Sequence, residues 1–147
     1  SIYRAMRCDK IRISILENIL RTYYSSKNVD EHNLSIKLFL RSQDELEKNA
    51  QKIIKKIPKS MIDKFNINYI SSFVEAGSGS LPTEKISSIV LCFSSNKISA
   101  NNIYKKFINL DIPLIGYIKN NIFHIDLKAI PSDQILLVAN SIKHTLN

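Results

Sequence analysis

Apolar positions along the chain follow two rhythms, steps of three and four residues and runs rich in β-branched and aromatic side chains, and their alternation predicts the elements. From Asp9, a side chain suited to capping, Ile15, Leu16, Ile19, Leu20 and Tyr23 recur at helical spacing. They predict an amphipathic helix to about Tyr24 with one buried face. The polar stretch Ser25 to Asp30 ends that pattern and marks the boundary between an N-terminal helical arm and the rest. Leu34 to Leu40 reads as a short helix. Ser42-Gln43-Asp44-Glu45 has the form of a capping box, ahead of a helix with Leu46, Ala50, Ile53 and Ile57 on one face. Its other face shows Lys48, Lys52, Lys55 and Lys56, followed by Lys59 and Lys64, and reads as a solvated face in preference to an RNA-backbone contact, because no aromatic platform is interleaved with the lysines.

Phe65 to Val74 and Ile86 to Phe93 have strand composition. Ser99 to Asn102 then reads as a capped helix start, with Ile103, Tyr104, Phe107 and Ile108 as its apolar stripe, stopping before Pro113. Leu114 to Ile118 and Ile122 to Leu127 flank Asn120-Asn121, a two-residue hairpin turn in which Asn tolerates positive φ. That turn sets Ile118 opposite Phe123, Gly116 opposite Ile125 and Leu114 opposite Leu127, with Tyr117 and His124 paired on the other face. Pro131-Ser132-Asp133 starts a last helix lined by Ile135, Val138, Ala139 and Ile142. The order ββαββα predicts an α+β fold, a mostly antiparallel sheet with helices on one face, preceded by the helical arm.

Composition adds limits. With 147 residues, 44% of them hydrophobic, the chain can bury a real core. The net charge of +8 favours polyanionic partners, although many basic proteins bind none. Cys8 and Cys92 are far apart and neither has metal-ligand spacing to a second ligand, so reduced thiols and no metal are expected. No apolar run approaches the roughly 20 residues of a membrane helix, and no signal peptide opens the chain, which predicts a cytoplasmic protein without membrane contact. Ser1 in place of an initiator Met suggests a fragment or processed chain.

Candidate chemistry lies at two places. Glu75 to Pro82 holds two of the three glycines, and Gly77-Ser78-Gly79-Ser80 could turn backbone N–H groups and hydroxyls toward an anion. It lacks the P-loop lysine and the dinucleotide spacing, so turn chemistry is the plainer reading. Arg4 and Arg7 stand three residues apart, and on a helical turn their forks converge on one point, suiting an oxyanion better than lysines would. Surface arginines are common, so on residue types alone an ordinary surface pair is the favoured reading. His124 reads as a structural partner of Tyr117, and His32 and His144 have no acid or nucleophile near them in sequence.

Arg4-Ala5-Met6-Arg7-Cys8-Asp9-Lys10, Gly77-Ser78-Gly79-Ser80-Leu81-Pro82, Pro113-Leu114-Ile115-Gly116 and Ile125-Asp126-Leu127 resemble, in that order, the C-terminal part of the bacterial selenocysteine synthases. These are L-seryl-tRNA(Sec) selenium transferases, fold-type I enzymes dependent on pyridoxal phosphate. The resemblance spans nearly the whole chain. It implies that the full-length enzyme converts seryl-tRNA(Sec) to selenocysteinyl-tRNA(Sec) with selenophosphate as donor, the cofactor serving as electron sink. It further implies that Arg4 and Arg7 bind the donor oxyanion at a site between two subunits of a homo-oligomer, with the Gly77 to Ser80 loop nearby.

The cofactor lysine of the family, in a Ser-x-Asp-Lys context, is expected upstream of Ser1. The isolated chain is therefore expected to carry no catalytic residue and to be inactive. Cys8, Tyr117 and Lys128-Ala129-Ile130 depart from the family pattern, which keeps open a related pyridoxal-phosphate lyase acting on a small amine. A non-catalytic basic module binding RNA or protein is the third reading. On the leading one, residues 1–26 close the large domain and form the interdomain arm, and residues 27–147 form the small α+β domain.

Overall fold

The computed structural model describes residue 2 and residues 9–25, 33–75 and 85–146, and the chain divides into two units, Ser1–Leu40 and Arg41–Asn147. In the first, α1 spans Lys10–Ser25 and α2 spans Leu34–Leu40. Asp9 caps α1 as its carboxylate accepts from the Arg12 N–H at 2.9 Å, and Asn33 accepts from Ile36 N–H at 3.2 Å ahead of α2. The expected buried face of α1 is not found. Ile15, Leu16, Ile19, Leu20 and Tyr23 remain 45 to 57% exposed, and α2, seven residues long, buries nothing either. The periodicity is real, but the described residues of this unit offer no apolar surface to cover it.

The second unit contains α3 (Gln43–Lys56), α4 (Lys59–Phe65), β1 (Asn68–Glu75), β2 (Lys85–Phe93), α5 (Ala100–Ile108), β3 (Tyr117–Lys119), β4 (Ile122–Asp126) and α6 (Ile135–Leu146), with short 3-10 turns at Leu127–Ala129 and Ser132–Gln134. The four strands form one sheet in the order β1-β2-β4-β3, and each neighbouring pair is antiparallel. The fold is α+β, as the ββαββα order predicts. Ser42 accepts from Glu45 N–H at 3.2 Å, one half of the capping box; the Glu45 carboxylate instead accepts from the Ser132 hydroxyl at 2.9 Å.

Leu46, Ala50 and Ile53 of α3 are fully buried, as are Ile103 and Phe107 of α5 and Ile142 of α6. They share one core with Ile89, Leu91, Phe93, Phe123 and Ile125. At its centre the Phe107 and Phe123 rings stack with centroids 5.3 Å apart, and Phe93 leans on both at 5.4 and 5.8 Å.

Two boundaries move. The first strand does not begin at Phe65: that residue ends α4, where Met61 and Phe65 face the core. Asn66 then takes the left-handed conformation at φ 42°, and Ile67 N–H returns to Ile62 O at 3.0 Å. Helical spacing of Met61, Ile62 and Phe65 outweighs the strand-like composition that follows. At the other end β3 covers only Tyr117–Lys119. Asn120 and Asn121 adopt φ 52° and 57°, the two-residue turn expected, and Ile118 faces Phe123 while Tyr117 faces His124. Leu114 leaves the ladder, its N–H donating to Phe107 O at 3.1 Å.

Candidate functional site

Arg4, Arg7, Gly77, Ser78, Gly79 and Ser80, singled out by sequence, lie outside the described residues. Their flanks are described. Asp9, two positions after Arg7, is the cap of α1. β1 and β2 pair without interruption from Asn68↔Cys92 to Glu75↔Lys85. Where the described ladder ends, a carboxylate and an ammonium residue, Glu75 and Lys85, stand opposite each other.

What the second unit assembles is a polar cluster that sequence reading overlooked. Arg41 and Lys128 are 9% and 5% exposed, rare for long cations. The Arg41 guanidinium donates to Ile130 O at 2.7 Å, to Leu127 O at 2.8 Å and to Lys128 O. Lys128 Nζ returns a bond to Arg41 O at 2.6 Å. Asp126 Oδ1 accepts from Ser88 Oγ at 2.5 Å and from Lys128 N–H at 2.8 Å, while Arg41 Nε and Asp126 Oδ2 are buried without a partner among the described residues.

Burial lowers the Arg41 pKa, with Glu45 and Asp126 opposing. Burial also lowers that of Lys128, Arg41 lowers it further, and Asp126 and Glu45 oppose. All four hydrogen bonds that the two cationic side chains donate here go to backbone carbonyls. The cluster is a clasp that ties residue 41 to the segment after β4, rather than an anion receptor. Its signal in sequence is faint: Asp126 and Lys128 interrupt an apolar run, and Arg41 stands alone between two helices.

On the sheet face that carries Tyr117 and His124, the two rings stack at 5.0 Å with an interplanar angle of 5°. His124 Nδ1 lies 2.9 Å from Ile122 O; a carbonyl can only accept, so Nδ1 carries the proton. Cys92 stands directly across the ladder from His124, and burial pushes its thiol above the ordinary 9.0. A buried thiol held protonated is a packing group rather than a nucleophile. Burial likewise raises the Tyr117 phenol, against the opposing effect of a hydrogen bond with Ser72.

Pyridoxal phosphate needs a lysine whose amine is free to react with its aldehyde. Lys128, the buried lysine of the second unit, has its ammonium donating to Arg41 O beside a second cation, so the clasp does not fit the cofactor. Among the described residues no three His, Cys, Asp or Glu side chains gather as a metal site, and no helix is long and apolar enough to cross a membrane.

Comparison with known proteins supplies the class that the described geometry leaves open. The family model of the L-seryl-tRNA selenium transferases (SelA) matches residues 1–131. Curated relatives named L-seryl-tRNA(Sec) selenium transferase include those of Desulfotalea psychrophila, 26% identical over 137 residues, covering 93% of this chain and 29% of the relative, and of Mannheimia succiniciproducens, 29% identical over 138 residues, covering 92% and 29%. A third, from Haemophilus influenzae, is 27% identical over 135 residues, covering 91% and 29%. The chain thus spans about 29% of the length of these relatives. With most of its residues inside the family model, and an α+β unit that follows the order read from sequence, the chain belongs to the L-seryl-tRNA selenium transferase family.

Proposed function

We propose that this chain is the C-terminal part of a selenocysteine synthase, and that the complete polypeptide converts seryl-tRNA(Sec) to selenocysteinyl-tRNA(Sec) in the cytoplasm with selenophosphate as selenium donor. The family match over residues 1–131 carries this reading. Pyridoxal phosphate, held by a lysine outside this chain, supplies the electron sink for losing the seryl hydroxyl and adding selenium. Arg4 and Arg7 bind the donor oxyanion through paired guanidinium forks at a site between subunits of a homo-oligomer, and the Gly77 to Ser80 loop shapes the backbone near it.

Residues 1–26 close the large domain and form the interdomain arm, and residues 27–147 form the small domain. The uncovered apolar stripe of α1 supports that division, since a large domain outside this chain gives the stripe something to pack against. The test uses the full-length enzyme. Arg4→Ala and Arg7→Ala should each weaken use of selenophosphate and leave the absorption spectrum of the bound cofactor intact. Loss of the spectrum would make the pair structural, and turnover of a small amine without any tRNA product would replace the reaction.

A further inference from the structure

The lysines of α3 are not scattered. At 100° per residue, Lys48, Lys52 and Lys55 fall together on the side opposite the buried Leu46, Ala50 and Ile53, and Lys56 lies at the edge of that stripe, beside the buried Asn49. Lys59, at the start of α4, follows them in the chain. All five are exposed. Among the described residues the ion pairs are Asp9 with Arg12 and Glu17 with Arg21, both in the first unit, so none involves these lysines.

Three acids stand against four lysines on α3, with Asp44 and Glu45 at the N-terminal end of the lysine side, and among the described residues none forms an ion pair with the stripe. Asp44 and Glu45 sit in the first turn, Glu45 accepts from the Ser132 hydroxyl, and Glu47 accepts from the Tyr69 hydroxyl at 3.3 Å. The helix dipole accounts for Lys55 and Lys56 in the last turn but not for Lys48 and Lys52.

From these observations we infer that the lysine stripe of α3, Lys48, Lys52, Lys55 and Lys56, is a docking surface for the phosphate backbone of double-stranded RNA. The choice of RNA over another polyanion rests on the selenium-transfer reading; the surface itself rests on the charge pattern. Aromatic side chains are absent from the stripe. That excludes the stacking platforms used for single strands but not A-form duplex, which is recognised by shape, 2′-hydroxyls and phosphates. Lys48 and Lys55 are seven residues apart, about 10 Å along the helix axis, a span that meets several successive phosphates of one strand.

The test titrates the 147-residue chain with a tRNA transcript and with a single-stranded RNA of equal length across a salt series. It compares Lys52→Gln/Lys55→Gln with a control pair of equal charge, Lys105→Gln/Lys106→Gln, on the exposed side of α5. Circular dichroism checks that both fold. The stripe pair should weaken tRNA binding by about tenfold and reduce the salt slope by about 1 per lysine, the control pair should change little, and the single strand should bind less tightly than the tRNA. Equal losses from both pairs, or no tRNA binding by the chain, overturn the inference. Assaying selenocysteinyl-tRNA formation by the full-length enzyme separates the two readings. Product formation with no effect at the stripe sinks only the surface. Stripe-dependent binding without product supports the surface and sinks the selenium chemistry.

Discussion

Two helices of similar length, each carrying an apolar stripe and the more sharply segregated one on α3, end in opposite environments. In α3, Leu46, Ala50 and Ile53 are fully buried; in α1, Leu16 and Leu20 remain 56% and 57% exposed. The difference lies in what each unit offers as a partner. In Arg41–Asn147 the sheet presents Ile89, Leu91, Phe93, Phe123 and Ile125 to the helices, whereas in Ser1–Leu40 none of the described residues of α1 or α2 is buried. An apolar stripe states that a helix has an inside, but not where the inside is.

The largest expected effect challenges that contrast directly. Phe123→Ala removes a ring that contacts Phe93, Tyr104 and Phe107 and should cost about 3–5 kcal/mol in urea unfolding of the chain. Leu20→Ala on α1 should change the same transition by no more than about 0.5 kcal/mol. Comparable losses would mean that α1 is covered in solution.

Arg41→Ala comes next. It strips three carbonyls of their donor and should cost about 2–4 kcal/mol. Glu17→Ala, which breaks the exposed 2.7 Å pair with Arg21, should cost about 0.5 kcal/mol or less. An Arg41 variant as stable as the parent chain would show that the clasp is dispensable.

The smallest effect is one of pH. Lys128 titrates below its ordinary 10.5 in the folded chain, so up to 10.5 the unfolded chain binds the proton more tightly. The contribution of this group to stability therefore rises as pH climbs from its folded value toward 10.5. Cys92 and Tyr117 act oppositely: burial raises both, so stability falls as pH passes the unfolded values of 9.0 and 10.0. Denaturation of parent and Lys128→Met side by side isolates the first effect. The parent should gain on the variant as pH approaches 10.5, and parallel curves would place the ammonium in water.

Legibility followed the range of the interactions. Ser42 and Ser99 as caps, the Asn120-Asn121 turn and the Ile118↔Phe123 register were readable, because each depends on residues a few positions apart. α4 was missed because its seven residues offer barely two turns of pattern before a strand begins. Gly116 carries a signal visible only in three dimensions. A β-carbon there would lie 2.1 Å from His124 O and 2.6 Å from the Phe123 ring, a clash no local pattern announces. The candidate site was legible as motif, since Arg4, Arg7 and Gly77 to Ser80 carry the family resemblance, but not as geometry.

By itself, then, the sequence determined the ββαββα order, the fold class, the caps at Asp9, Ser42 and Ser99, the hairpin register and, through its motifs, the family. Tertiary structure alone decided which apolar stripe becomes core, how the chain pairs β2 with β4 across the intervening helix, and that Arg41 and Lys128 close on each other across 87 residues. Local preferences arise from steric and hydrogen-bonding constraints within a turn or two. Burial and long-range pairing depend on which distant surfaces meet once the chain has closed on itself.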